Sequence, residues 1–333
     1  MATLNKNLLT LEDHAKSYVN GKKTEMIVEM LSQNNAILQD MPFREGNLIT
    51  GHRTTVRTGL PDVYWRNYNQ GIPASKSRKA TVDEKCGILE AYSEVDVKLA
   101  KLGGDERQTR MEEASAFLQA MGQETASTYF YGNAGLNPEE ITGLATRFGD
   151  LSAENARNII DAGGTGTDNA SIWLVVYGAD TVHGIFPKGS RAGIQHQDLG
   201  QQTRELNDSA GGNMLEVYRD HFSLETGVVV KDWRFLARLC NIDVSDLVAN
   251  SGAQAEIVDG MIKMMHAIED LSKGKACFYM NRTVQQFLDI QRLGKAGAAG
   301  LDYKDVDGVW TPTFRGIPIK RVDALLTTEA RVV

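Results

Sequence analysis

The sequence predicts an α+β fold, and three observations carry that reading. One long helical pattern runs from Asp105 to Tyr131. Separate runs rich in β-branched and aromatic residues, Leu48 to Pro61, Ile172 to Tyr177 and Gly227 to Leu239, are bounded by glycine or proline. The last third alternates helix and strand patterns over short distances. The 333 residues are 42% hydrophobic and 24% charged, an ordinary globular balance with room for a sizeable core and two or three modules.

Taken in order, the segment up to about Met41 reads as helix. Thr10 and Asp13 form a capping pair, and Ile27, Met30, Leu31, Asn34 and Leu38 follow at helical spacing. Its apolar face is narrow, which fits either a surface helix or an arm that docks on another subunit.

From Asn47 to about Lys79 the pattern is that of a long hairpin. Leu48 to Pro61 forms one extended run and Val63 to Tyr68 a second, with Gly59-Leu60-Pro61-Asp62 as a possible bend. Arg53, Arg57, Arg66, Lys76, Arg78 and Lys79 face the single acid Asp62, a basic patch in a chain whose formal net charge is −7. Tyr64, Trp65 and Tyr68 are interleaved with them. Base stacking on nucleic acid is one reading, a solvated hairpin another, and docking on an acidic face of a second copy a third. An isolated hairpin is marginal in water, so self-association is the reading carried forward, with Arg53, Arg57, Tyr64, Trp65, Arg66, Lys76, Arg78 and Lys79 as contact candidates.

The long helix follows, opened by Asp105 as N-cap and ended by Gly132, with Met111, Ala114, Leu118, Met121, Thr125 and Tyr129 on one face. Such a rod spans roughly 40 Å. Residues 133–170 are loop-rich, with a short helix expected after Ser152. Ile172 to Tyr177 is a buried strand, and Gly227 to Leu239 a second extended segment. Beyond these, Ile257, Met261, Met264, Met265, Ile268 and Leu271 mark a helix, and Lys275 to Met280 a strand. Thr283 is expected to cap the helix Val284–Leu293, Gly294 to Gly300 to be a flexible connection, and Phe314 to Val322 to be a final strand.

The search for chemistry excludes more than it finds. No histidine pair has metal-site spacing, and the three cysteines, Cys86, Cys240 and Cys277, form no zinc or redox pattern. Gly163-Gly-Thr-Gly-Thr lacks the lysine of a phosphate loop and precedes a strand instead of a helix. Lys188 stands where a nucleophile elbow around Ser190 needs glycine. Asp302, Asp305 and Asp307 lack calcium-loop spacing and read as an acidic turn. No catalytic residue, cofactor or metal is therefore expected. The acidic balance disfavours a general grip on DNA phosphates. No apolar run is long enough to cross a membrane, and the polar start after Met1 offers no secretory signal, so synthesis in the cytoplasm is expected.

The order of segments then becomes distinctive. The helix Ala255–Leu271, the unit Phe278-Tyr-Met-Asn-Arg-Thr-Val-Gln-Gln-Phe-Leu, a spacer and Phe314-Arg-Gly-Ile-Pro-Ile resemble the axial domain of Hong Kong 97-type phage capsid proteins. Tyr129-Phe-Tyr-Gly-Asn and Leu144 resemble the exit from that family's spine helix. Trp173-Leu-Val-Val-Tyr-Gly, Phe186-Pro-Lys-Gly-Ser-Arg-Ala-Gly and Val230-Lys-Asp-Trp-Arg-Phe are similar to its short-tailed, epsilon-fifteen-like group. The resemblance covers nearly the whole chain.

It implies a non-enzymatic major capsid protein that self-assembles into pentamers and hexamers of an icosahedral shell around double-stranded DNA, without binding that DNA specifically. It further implies an arm over 1–46, an extended hairpin loop over 47–95, a peripheral domain over 96–131 and 171–245, and an axial domain over 132–170 and 246–333. Scaffold, portal and decoration proteins are the implied partners, no membrane is involved, and the virion is the implied location. Some members carry a cleaved N-terminal segment or subunit crosslinks; this chain opens almost directly on the arm and marks no crosslink pair, so neither is inferred. An encapsulin-type compartment shell and a soluble enzyme holding a nucleotide at Gly163–Thr167 are the alternatives.

Overall fold

The computed structural model describes residues 18–19, 22–23, 33–102, 105–205, 213–249, 255–294, 301–306 and 309–333. In chain order the strands are β1 (Tyr18–Val19), β2 (Lys22–Lys23), β3 (Phe43–Glu45), β4 (Gly51–Gly59), β5 (Arg78–Lys85), β6 (Gly87–Asp96), β7 (Ile159–Asp161), β8 (Asn169–Tyr177), β9 (Val182–Phe186), β10 (Gln195–Glu205), β11 (Met214–Val230), β12 (Leu236–Asp243), β13 (Lys275–Met280), β14 (Leu301–Val306), β15 (Val309–Phe314) and β16 (Ile317–Arg321). The helices are α1 (Ile37–Asp40), α2 (Val97–Leu102), α3 (Glu106–Tyr131), α4 (Leu144–Arg147), α5 (Val244–Ala249), α6 (Ala255–Ala267) and α7 (Arg282–Gly294). The chain divides into a smaller unit (Met1–Gln33, Ile88–Thr125, Gly193–Glu225) and a larger one (Asn34–Gly87, Ala126–Ala192, Thr226–Val333).

In the larger unit β8 is central. It runs antiparallel to β12 on one side and to β13 on the other, and all nine of its residues are buried. Its alternation explains the unbroken apolar run. Trp173, Val175 and Tyr177 face one cluster with Tyr129, Phe130 and Phe148. Ala170, Ile172, Leu174 and Val176 face another, beneath Met261 and Met264 of α6, Ile268 just after it, and Val284 and Leu288 of α7. A strand covered on both faces needs apolar side chains in both directions, each contributing about 1.5–3 kcal/mol when fully buried. Met264 is wholly buried, as core filler.

Beyond β13, β16 lies parallel to it, then β15 and β14 follow antiparallel. The expected single strand from Phe314 is thus the end of β15, a turn, and β16. Phe314 pairs with Ile317 across Arg315 and Gly316, whose φ values are 48° and 87°. Two consecutive left-handed residues make the hairpin turn that matches strand twist; the glycine in Phe-x-Gly-Ile-Pro is there to turn the chain. Phe314 itself is buried edge-on against Phe278 at 6.0 Å. The expected acidic turn at Asp302–Asp307 is likewise mostly strand, since Asp302 and Asp305 lie in β14.

After β16 the chain crosses back over the core. The Glu329 amide donates to the Asn169 carbonyl (2.9 Å), and the Asn241 side chain exchanges two hydrogen bonds with the Val332 backbone (2.8 and 2.9 Å). Arg238 and Glu329 are almost completely enclosed, with side chains 4% and 5% exposed. Arg238 donates to Glu329 Oε2 (2.9 Å), Ser171 Oγ (3.1 Å) and the Phe148 carbonyl (2.8 Å), and its guanidinium sits 5.0 Å from the Trp173 ring centre.

In the smaller unit, β6 and β10 each pair with β11. Asp105 caps α3 as expected, accepting from the Gln108 amide at 3.1 Å. The buried helix face keeps Ala114, Met121, Thr125 and Tyr129 of the expected one and departs from it at two positions. Ala114, Phe117 and Met121 pack on Leu89, Ala91, Phe222 and Leu224, whereas Met111 and Leu118 are exposed. The sheet meets the helix on the Phe117 side, which puts those two at the rim.

Other expectations shift as well. The segment 227–239 is interrupted: β11 ends at Val230, a 3-10 turn covers Trp233–Phe235 with Asp232 capping it, and β12 begins at Leu236. After Ser152 there is only a 3-10 turn, Ala156–Asn158. Asn281, two residues before Thr283, accepts from the Thr283 amide (3.0 Å) and opens α7. In the N-terminal segment the described residues form the paired β1 and β2 and the single turn α1 instead of one helix; Thr10, Asp13, Ile27, Met30 and Leu31 lie outside the described residues, as do 295–300 of the expected flexible connection.

Candidate subunit interface

The hairpin is where the sequence concentrated charge and aromatic residues, and its geometry has three zones. Its second strand is not Val63–Tyr68: β4 pairs with β5, in register from Gly51↔Lys85 to Arg57↔Lys79. Proline at 61 has no amide to give to a ladder and 60–77 form no strand, so the expected bend at 59–62 opens into a long tip.

The root is anchored. Glu84, 8% exposed, is held by both terminal nitrogens of Arg147, one at 2.6 Å. The Asn47 side chain accepts from the Arg53 amide (2.7 Å) and donates to the Arg53 carbonyl (2.8 Å), standing in for one more strand residue. Lys85 donates to the Pro138 carbonyl. Gly51 is required here, because a Cβ would lie 2.0 Å from the Glu84 carbonyl oxygen.

The shaft carries a charge pattern that changes sign along its length. Arg53 makes a two-pronged pair with Asp83, both bonds 2.6 Å, and this bond holds the Asp83 carboxyl below its ordinary value. Arg53 is therefore partly spent within the hairpin; the acid that engages it lies beyond the Asn47–Lys79 segment in which only Asp62 was counted. Farther out, Arg57 stands opposite Lys79, and Arg78 opposite Gly59. Like charges facing each other across a ladder are destabilising, and among the described residues no carboxylate pairs with Arg57, Arg78 or Lys79.

The tip is uncovered. Every residue from Leu60 to Lys76 is exposed. Trp65 is as open as in an isolated peptide, and Leu60, Val63, Tyr64, Tyr68 and Ile72 are exposed with it. Internal ties are few: Ser75 Oγ donates to the Asp62 carbonyl (2.7 Å), and Asn69, at φ 60°, shapes a turn closed from Gln70 to Asn67 (3.3 Å). The structure thus brings Tyr64, Trp65, Arg66 and Lys76 together on the tip, and Arg57, Arg78 and Lys79 on the adjoining shaft. Leu60, Val63 and Ile72 belong to the same patch; apolar residues without helical or strand periodicity were their signal.

Around Gly163–Thr167 two of the loop amides are already used, Gly163 on Asp161 Oδ1 (2.8 Å) and Gly164 on the Asn241 carbonyl (2.9 Å). Asp243, its carboxyl lowered by the Ser245 hydroxyl, and Asp168 complete an acidic surround that repels phosphate. Among the described residues, no group of three or more His, Cys, Asp or Glu side chains is placed to hold a metal ion, and no helix is long and apolar enough to cross a membrane.

The family model described as major capsid protein GP7 matches residues 19–333. The solved structure of bacteriophage Epsilon15 superposes with a TM-score of 0.79 at 29% identity, over 100% of this chain and 99% of that chain. The capsid of bacteriophage JBD30 gives 0.47 at 10% identity, over 93% and 97%, and an encapsulin from Synechococcus elongatus 0.42 at 11%, over 68% and 94%. No curated protein sequence matches the chain. The chain belongs to the major capsid protein GP7 family: it is an epsilon15-like, Hong Kong 97-type structural subunit of the icosahedral phage capsid, associating with copies of itself in the virion, and is not an enzyme.

Proposed function

We propose that the hairpin of each subunit grips a neighbouring copy, with Trp65, Tyr64 and the other tip residues filling an apolar surface and Arg57, Arg66, Lys76, Arg78 and Lys79 meeting carboxylates there. Arg53 contributes mainly as a strut through Asp83. The observation that carries this reading is the tip and the shaft beside it: six large apolar side chains stand exposed, and Arg57, Arg66, Lys76, Arg78 and Lys79 have no carboxylate partner among the described residues. Exposed apolar patches rimmed by charge mark interaction sites, and buried aromatic anchors supply most binding energy at interfaces. A partner of this same acidic chain suits the cations, since charge complementarity sets register and partner choice.

In this reading the copies form pentamers and hexamers, with the arm at 1–46, the hairpin loop at 47–95, the peripheral domain at 96–131 and 171–245, and the axial domain at 132–170 and 246–333. Scaffold, portal and decoration proteins are further partners, synthesis takes place in the host cytoplasm, and packaged DNA is enclosed without specific contact. The net charge of −7 supports that last point through mild repulsion.

The test is a triple reversal, Arg57→Glu, Arg78→Glu and Lys79→Glu. The subunit is expected to keep its far-ultraviolet circular dichroism and cooperative melting, while negative-stain images lose their shells. Normal shells from the triple variant would remove the hairpin from assembly.

A further inference from the structure

At the root of the hairpin two histidines meet inside the protein. His183, on β9, is 2% exposed, and His52, on β4, is half-buried. Their rings stand edge to face with centres 6.1 Å apart. The Nδ1 atom of each is buried without a hydrogen-bond partner, and so are Thr54 Oγ1 and Arg147 Nε beside the same root. A neutral imidazole tolerates an idle Nδ1, because that atom is then only an unmet acceptor. A protonated one does not, because it adds a buried N–H and a full charge with no acceptor.

The surroundings make a positive charge still less welcome. Lys231 and Arg44 act on His183, and Lys231 also acts on His52. The carboxylates nearby are occupied: Glu84 by Arg147 and Asp180 by Lys231 at 2.9 Å. A backbone hydrogen bond at Gly178, the partly neutralised Glu84 and the Lys231-bound Asp180 favour the charged rings. Burial first, then His52 and these cations, hold His183 down to about 4, and burial with Lys231 holds His52 below the ordinary imidazole value.

We propose that His52 and His183 form a proton-operated latch: neutral, they let the hairpin root sit on β9, and protonated, they push it off while the rest of the unit stays folded. The reading concerns the root and holds whether or not the tip grips a neighbour. The sign follows from linkage. Unfolded histidine binds its proton near 6.5, and the latched rings bind theirs lower, so the open state takes up more protons as pH falls. The latch is fully closed above 6.5 and weakens from there down to about 4.

Hydrogen exchange of the full chain, corrected for the intrinsic pH dependence of exchange, tests this at pH 7.5 and 4.5. Amides of β4 and β5 are expected to lose at least ten-fold of their protection at the lower pH, while those of β8 keep theirs. In the His52→Gln, His183→Gln double variant the loss should shrink below two-fold. Should the double variant fail to fold, His52→Gln alone is expected to cut the loss at least three-fold. Constant hairpin protection in the parent chain overturns the latch. So does an undiminished loss in either variant, which would assign it to carboxylates such as Glu84 instead, and so does a loss shared equally by β8.

Discussion

The centre of the larger unit and the tip of its hairpin come from one chain and follow opposite rules. At the centre, Arg238 is enclosed and fully engaged, by Glu329, Ser171, the Phe148 carbonyl and the face of Trp173. At the tip, Trp65 and Tyr68 stand in water and Arg57 faces Lys79. A cation buried in the first place is stable only because its partners are supplied internally. Cations and aromatic rings displayed in the second place add nothing to the fold and cost little, since solvent screens them. The contrast separates two kinds of residue: those at the centre find their counterparts within the chain, and those at the tip, in the proposal above, find theirs in another copy.

Three substitutions would break or sharpen that contrast. The largest effect is expected at the centre. Glu329→Ala leaves Arg238 buried and uncompensated, and chemical denaturation should register a loss of about 3–5 kcal/mol. A loss below about 1 kcal/mol would mean that the site admits water and that the centre is less closed than described. Next is the turn between β15 and β16. Gly316→Val forces a branched side chain into φ 87°, at a cost of about 1–3 kcal/mol in the same measurement. The smallest effect is expected on the hairpin, where Arg53→Gln removes an exposed pair that solvent screens, and the denaturation midpoint should barely move. If Arg53→Gln proved as damaging as Glu329→Ala, the shaft would belong with the core.

The same contrast explains what could be read in advance. β8 was legible because both of its faces are buried, which writes an unbroken apolar run into Ile172–Tyr177. β5 was not, because its six outer residues are all exposed and impose no periodicity on Arg78–Asp83. β10, polar along its length and broken by a register shift between Asp198 and Gln201, was missed for the same reason. The contact candidates were legible as composition, basic and aromatic residues crowded into one segment. Their arrangement was not, because it depends on a pairing across about thirty residues: Asp83 reaches Arg53 only once the true register is formed. The Phe-x-Gly-Ile-Pro run was visible as a pattern, yet its physical meaning required the backbone angles at Arg315 and Gly316.

The return of the chain over its own core has a consequence for folding. Glu329 and Val332 reach Arg238 and Asn241 across 91 residues of sequence, so the core of the larger unit closes only when these distant segments meet. Pairings of such long sequence separation are slow to form, and a subunit in which they have not yet formed carries an uncompensated charge in its interior.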